Sequence, residues 1–188
     1  MKNLYRRLFG RLYWVQYSKE LSYKGEWKHG SFHGEGHLKY VNGNTFTGSF
    51  KSGTKNGFGH YKTSNGFEYI GDWLNGYQTG FGAICYKNGD LYEGDVQNGL
   101  RHGKGRFFQA SDCVWYKGAW IQGILYGHVE ISCSEWIFEG QLPEKDIVSL
   151  GKLTYPDGSK YEGQILNFKR HGKGTLTATS GEQTCGVW

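Results

Sequence analysis

The chain has 188 residues, with 31 glycines, only 2 prolines, 17% aromatic residues and a formal charge of +5. Glycine at about twice its usual share of roughly 7% would suit a disordered chain, but disordered chains lack aromatics, so this one is expected to fold. Residues 1–22 carry a net +4 and the remainder only +1, which is too balanced for a nucleic-acid surface, and no nucleic-acid partner is expected.

Cys85, Cys113, Cys133 and Cys185 are far apart, with no CxxC pair and no N-x-S/T acceptor in the chain. That spacing predicts a reducing, intracellular compartment and no metal site. Neither the N-terminus nor any later stretch has an apolar run long enough for a signal peptide or a membrane span.

Taken in chain order, residues 1–22 form a basic segment with two readings. Gly10, Leu12 and Trp14 have the spacing of Gly36, Leu38 and Tyr40 and predict half of a capping hairpin from about Gly10. Leu4, Leu8 and Leu12, with Lys2, Arg6, Arg7 and Arg11 between them, equally suit a basic amphipathic helix.

From Tyr23 onward the chain repeats. The glycine of a Y-x-G pattern recurs at Gly25, Gly48, Gly71, Gly94, Gly118, Gly140, Gly163 and Gly186, at steps of 22 to 24 residues. Numbering that glycine 0, an aromatic ring stands at −2, as Tyr23, Phe46, Tyr69, Tyr92, Tyr116, Phe138 and Tyr161. A large apolar residue stands at +2, paired glycines at +9 and +11, and another large residue at +13. A turn such as Asn42-Gly43 or Asp157-Gly158 closes five of the units. Within a unit the side chains alternate with period two, which indicates half-buried strands, and the Asn-Gly and Asp-Gly pairs supply the positive φ of tight hairpin turns. Repeats therefore begin near 23, 46, 69, 92, 116, 138 and 161, with a partial last strand at 184–188. Each is a β-hairpin in an array over 23–188. The glycines leave room for rings of the same face to lie over the neighbouring strand.

The stretches YKGEWKHGSFHGEG, FTGSFKSGTKNGFG, YIGDWLNGYQTGFG, YEGDVQNGLRHGKG, YKGAWIQGILYGHV and YEGQILNFKRHGKG resemble the MORN repeat (membrane occupation and recognition nexus). The resemblance implies an all-β fold: an elongated, twisted, single-layer antiparallel meander of about seven 23-residue hairpins with an aromatic and glycine face. Two units depart from the pattern. Val129 stands for the second paired glycine in the fifth, and Lys145 and Ser149 stand for glycines in the sixth, within LPEKDIVSLG. Those departures fit a bend, a distinctive loop or drift. The array stops mid-unit at Trp188, as a fragment of a longer protein would.

His33, His102 and His171 share one repeat position, but units about 10 Å apart cannot bring them to one metal. No GxG piece opens a helix after a strand, so a phosphate cradle has no support, and neither catalysis nor a cofactor is expected. A one-faced sheet of fourteen strands spans roughly 65 Å, more than residues 1–22 could cover. Twisting that fills the face with its own rings, self-association as a homodimer, or a partner along the face would each cover it. The main expectation is a protein-interaction scaffold that holds an extended peptide or helix, with Tyr23, Trp27, Phe50, Tyr69, Trp73, Tyr92 and Trp120 as anchors. MORN arrays serve as scaffolds at membrane junctions, in ciliary spokes and with myosin tails, so the resemblance implies a cytoplasmic, cytoskeletal, axonemal or membrane-junction setting. They also accompany lipid kinases and a lysine methyltransferase, which makes an accessory module of a larger enzyme one alternative. The other is a tether to acidic phospholipid through Lys2, Arg6, Arg7 and Arg11.

Overall fold

The computed structural model describes residues 13–18, 21–142 and 148–188. Gly10, the helical reading of residues 1–12 and Lys145 lie outside them. The chain divides into two compact units, one of residues 1–89 and 95–100, the other of residues 90–94 and 101–188. No helix occurs among the described residues.

In the first unit β1 (Tyr13–Ser18), β2 (Leu21–Lys28), β3 (Ser31–Lys39), β4 (Thr45–Lys51), β5 (Thr54–Lys62), β6 (Glu68–Leu74) and β7 (Tyr77–Cys85) follow in order. Each pairs antiparallel with the next. The residues of β8 (Leu91–Gln97) are shared between the units. In the second unit the strands are β9 (Leu100–Gln109), β10 (Val114–Ile121), β11 (Ile124–Ser132), β12 (Ile137–Gln141), β13 (Val148–Thr154), β14 (Lys160–Leu166), β15 (Lys169–Thr177) and β16 (Gln183–Val187). They too pair antiparallel in chain order. Among the described residues sixteen strands occur, fourteen in seven hairpins, with β1 before the first hairpin and β16 after the last. Tyr13, not Gly10, lies opposite Gly25, so the register of the first strand differs from that expected from glycine spacing.

Two rows cross each unit at right angles to the strands. Gly25, Gly36, Gly48, Gly59, Gly71 and Gly82 stand opposite one another in succession, as do Gly140, Gly151, Gly163, Gly174 and Gly186. Beside the glycine row runs a row of bulk: Tyr23, Leu38, Phe46, Tyr61, Tyr69 and Ile84 in the first unit. The ring at −2 leans along its strand over the +11 glycine of its own hairpin. A Cβ on Gly36 would fall 2.3 Å from the Tyr23 hydroxyl, and one on Gly174 would fall 2.2 Å from that of Tyr161. Glycine is therefore a steric requirement of the row.

The first paired glycine has a different role. At +9, Gly34 (φ 56°), Gly80 (φ 64°) and Gly172 (φ 54°) sit in the left-handed region, where the register shifts by a bulge. The turns also differ from expectation. The two-residue turns with both φ values positive are His29-Gly30, Ser52-Gly53, Asn75-Gly76, Asn98-Gly99, Gln122-Gly123 and Asn167-Phe168, at +4 and +5. The pairs at +17 and +18, such as Asn42-Gly43 and Asp157-Gly158, instead close three-residue corners. In the first, Gly43 N–H donates to Tyr40 O at 3.0 Å and Tyr40 N–H to Asn44 O at 2.8 Å, and only the glycine has positive φ. Asparagine there follows type I geometry, in which the left-handed residue comes last. Gly76 (φ 88°) has nothing within 4 Å of where a Cβ would lie. Gly76→Ala should therefore lower stability by about 1 kcal/mol through backbone conformation alone, read as a lower urea midpoint with unchanged slope.

The fifth repeat shows how one departure is accommodated. Val129, 1% exposed, fills the space over Gly118. Tyr116, which would lie there, is only half-buried and its hydroxyl bonds instead to Gln109 Oε1 at 3.0 Å. Valine and a displaced tyrosine thus replace glycine and a covering ring.

Candidate functional site

The inner face is built from the −2 and +2 rings. Tyr23 is fully buried and donates its hydroxyl to Glu26 O at 3.0 Å and His33 O at 3.4 Å. Tyr69 bonds likewise to Asp72 O and Thr79 O, Tyr92 to His102 O, and Tyr161 to Gln164 O and His171 O. Burial pushes the Tyr23 phenol up to about 12 and raises Tyr69 further, so these hydroxyls remain donors. The repeat position of His33, His102 and His171 is thus recognised through its carbonyl, and Thr79 can occupy it with the same bond.

Six of the seven residues expected as partner anchors are core. Tyr23, Phe50, Tyr69, Trp73, Tyr92 and Trp120 are 0–5% exposed. Their faces are taken by each other and by the glycine rows: Phe50 meets Tyr23 edge-on at 5.3 Å, and Trp120 meets Tyr92 at 5.7 Å. The expectation that these rings offer a free surface is corrected accordingly. Within each unit the rings pack against one another and over the glycine row, one of the three ways expected for covering the face. Trp27 alone of the seven is half-buried, edge-on to Tyr23 and Phe32. Lys2, Arg6, Arg7 and Arg11 lie outside the described residues.

Exposed apolar surface occurs on the opposite face. In the first unit Phe58 (60% exposed) and Phe81 (57%) flank Asp72, with Ile70 two residues along the same strand. Asp72 Oδ2 accepts the Phe81 N–H at 3.2 Å. Phe58 and Phe81 stand at +10, between the paired glycines, where the sixth repeat also has an apolar residue, Leu150, and the other four have Glu35, Lys104, His128 and Lys173. That break in polar alternation is the signal in the sequence for a patch that core-centred reasoning overlooks. In the second unit the face turned away from the core carries both charge, with Lys152 opposite Glu139 and Glu162, and exposed apolar residues such as Leu150 and Ile137. Among the described residues no group of three or more His, Cys, Asp or Glu side chains could hold a metal ion.

A comparison with curated proteins gives no significant match. Among solved structures, the chain is similar to the Sas-4 TCP domain of Drosophila melanogaster, solved in complex with a proline-rich motif of Ana2, at 13% identity and a TM-score of 0.31, covering 100% of this chain and 99% of that one. A second Sas-4 TCP10c structure from Drosophila melanogaster gives 15% identity and a TM-score of 0.31 over 82% and 93%. The G-box domain of the microcephaly protein CPAP gives 11% identity and a TM-score of 0.23 over 95% and 99%. Scores of that size do not mark a common fold. The family model of the MORN repeat matches residues 23–45, 46–67, 69–91, 92–114, 148–160 and 161–183. It passes over the fifth hairpin, where Val129 and Tyr116 have exchanged roles, and resumes beyond it. With six matches covering well over half its length, the chain belongs to the MORN-repeat family.

Proposed function

We propose that the protein is a non-catalytic interaction scaffold that holds a partner polypeptide on its repeat array, within a cytoskeletal, ciliary or membrane-junction assembly on the cytoplasmic side. The observation that carries this reading is the Phe58–Ile70–Phe81 patch. Phe58 stands opposite Asp72, Ile70 is two residues along that strand, the Phe81 N–H donates to the Asp72 carboxylate, and all three apolar side chains are exposed. Exposed apolar side chains grouped around one carboxylate suit the apolar side of a peptide or helix.

The partner would place an apolar row over Phe58 and Phe81 and a donor toward Asp72. Trp27 is the member of the sequence-predicted set with ring surface left to contribute. A photo-crosslinking residue placed at 58 should trap a polypeptide in cell extract, whereas one at Lys117, in the second unit, should not. Phe58→Ser with Phe81→Ser should abolish the adduct formed from a crosslinker at Ile70, with the near-ultraviolet circular dichroism unchanged. An undiminished adduct in that variant would remove the patch from the contact surface.

A further inference from the structure

Position +7 lies at the joint between consecutive repeats. Its carbonyl accepts the turn glycine N–H of the next hairpin, as Phe32 O from Gly53, Lys55 O from Gly76, Gln78 O from Gly99 and Arg101 O from Gly123, at 2.8–3.1 Å. This backbone bond does not depend on the side chain, and the side chain varies: Phe32, Lys55, Gln78, Arg101, Leu125, Ile147 and Arg170.

The variation is matched by the +2 residue of the repeat that follows. Lys55 precedes Trp73, Arg101 precedes Trp120, and Arg170 precedes Trp188. Where the following residue is Phe50, Val96, Leu142 or Ile165, position +7 carries no cation. The structure gives the pairing a geometry. Lys55 Nζ stands 4.5 Å from the Trp73 ring, and the Arg101 and Arg170 guanidinium carbons stand 4.4 and 4.5 Å from Trp120 and Trp188. Each indole also turns its N–H to the row glycine of the preceding repeat: Trp73 to Gly59 O at 3.2 Å, Trp120 to Gly105 O at 3.1 Å and Trp188 to Gly174 O at 3.4 Å. One edge of the ring is thus tied to backbone, and its face is left to a cation.

We infer that the +7 cation and the next repeat's +2 tryptophan form a clasp across the joint, and that the Lys55–Trp73 clasp is switched off by loss of a single proton.

Lys55 differs from the two arginines because an arginine holds its proton throughout the accessible range, whereas an ammonium half-buried among rings gives its proton up more readily. Its Nζ stands within 5.3 Å of four rings: Tyr40 from the corner after β3, Phe46 on β4, Tyr61 on β5 and Trp73 on β6. The titratable groups facing it are the two phenols, Tyr40 and Tyr61, and burial holds Tyr40 up at about 12. No carboxylate among the described residues forms an ion pair with it. Burial pushes the Lys55 ammonium down to about 8 from its ordinary 10.5, while the negative ring faces pull the other way.

Two signatures of opposite sign follow. The folded-state value lies below the unfolded one, so the buried charge weakens folding fully below about pH 8, and stability rises as the pH climbs toward the ordinary lysine value. Over the same window the attraction between Lys55 and Trp73 disappears with the charge.

The test is a double-mutant cycle on the full chain with Lys55→Met and Trp73→Phe, followed by urea unfolding at about pH 6.5 and about pH 9.5. The expected coupling at the lower pH is about fivefold in the folding equilibrium, falling to less than about 1.5-fold at the higher pH. The matching cycle of Arg101→Met with Trp120→Phe should keep its coupling at both, and Lys55→Arg should make the first joint behave like the second. Equal Lys55–Trp73 coupling at the two pH values, or coupling below about 1.5-fold at the lower one, overturns the inference. A readout that needs no variant is the NMR titration of the Lys55 ε-methylene in the native chain. A midpoint well below those of the surface lysines is expected, and an ordinary lysine midpoint also overturns it.

Discussion

Gly82→Val is expected to lower stability by about 3 kcal/mol, as much as most core deletions, although it adds only two methyl groups and a Cβ. Gly82 has ordinary extended backbone, so the whole penalty is steric. A Cβ there would lie 2.5 Å from Tyr69 Cε2 and 2.8 Å from Cζ. Tyr69 is fully buried, and its hydroxyl is held by Asp72 O at 2.9 Å and Thr79 O at 3.1 Å. To clear the valine, the ring must leave both carbonyls and open the inner face. The fifth repeat indicates the remedy, since Val129 is tolerated where Tyr116 lies aside against Gln109. Combining Gly82→Val with Tyr69→Ala should therefore restore part of the loss, with the double variant at least about 1 kcal/mol more stable than the sum of the singles. Additive losses in urea unfolding would mean that ring and glycine are not coupled, and the steric account of the glycine row would fail.

The period of 23 residues, the hairpin unit and the glycine row under the rings are legible in the sequence because each is a repeated local pattern. What each glycine does is less so. Gly34 and Gly36 look alike in GEG, yet one bends a bulge at φ 56° and the other makes room for Tyr23. Asn42-Gly43 suggests a tight two-residue turn, yet it is His29-Gly30 that has two residues of positive φ, and the difference lies in strand pairing across the loop. The expected anchors illustrate a second limit. Alternation assigns Tyr23 and Trp73 to one face, but it carries no information on how strongly that face curls. That curl decides between an open aromatic groove and a closed core. The Phe58–Ile70–Phe81 patch is written in the chain as apolar residues where most repeats are polar, and strand pairing together with the Phe81–Asp72 bond makes them neighbours. The clasp at Lys55 is likewise visible as a pairing of residue types, which the ring geometry turns into an interaction.

Trp120→Ala should remove about 4 kcal/mol of stability, and this separates core from contact surface most sharply. The indole is 3% exposed, donates its N–H to Gly105 O at 3.1 Å, meets Tyr92 edge-on and carries Arg101 on its face. Truncation therefore deletes a large buried ring, removes the indole donor from Gly105 O and leaves the Arg101 guanidinium with Phe107 as its remaining ring. Phe58→Ser removes a ring that is 60% exposed and should change stability by less than about 1 kcal/mol. The two variants should thus behave oppositely in any binding measurement: Trp120→Ala loses partner capture only in proportion to its unfolded fraction, while Phe58→Ser loses capture as a folded chain. Urea unfolding and capture measured on the same samples decide the matter. If Trp120→Ala leaves the urea midpoint in place and still loses the partner, Trp120 is a contact residue after all, and the aromatic face is a groove that opens on binding. If both follow the expected pattern, the aromatic ladder is the protein's core and recognition belongs to the other side of the sheet.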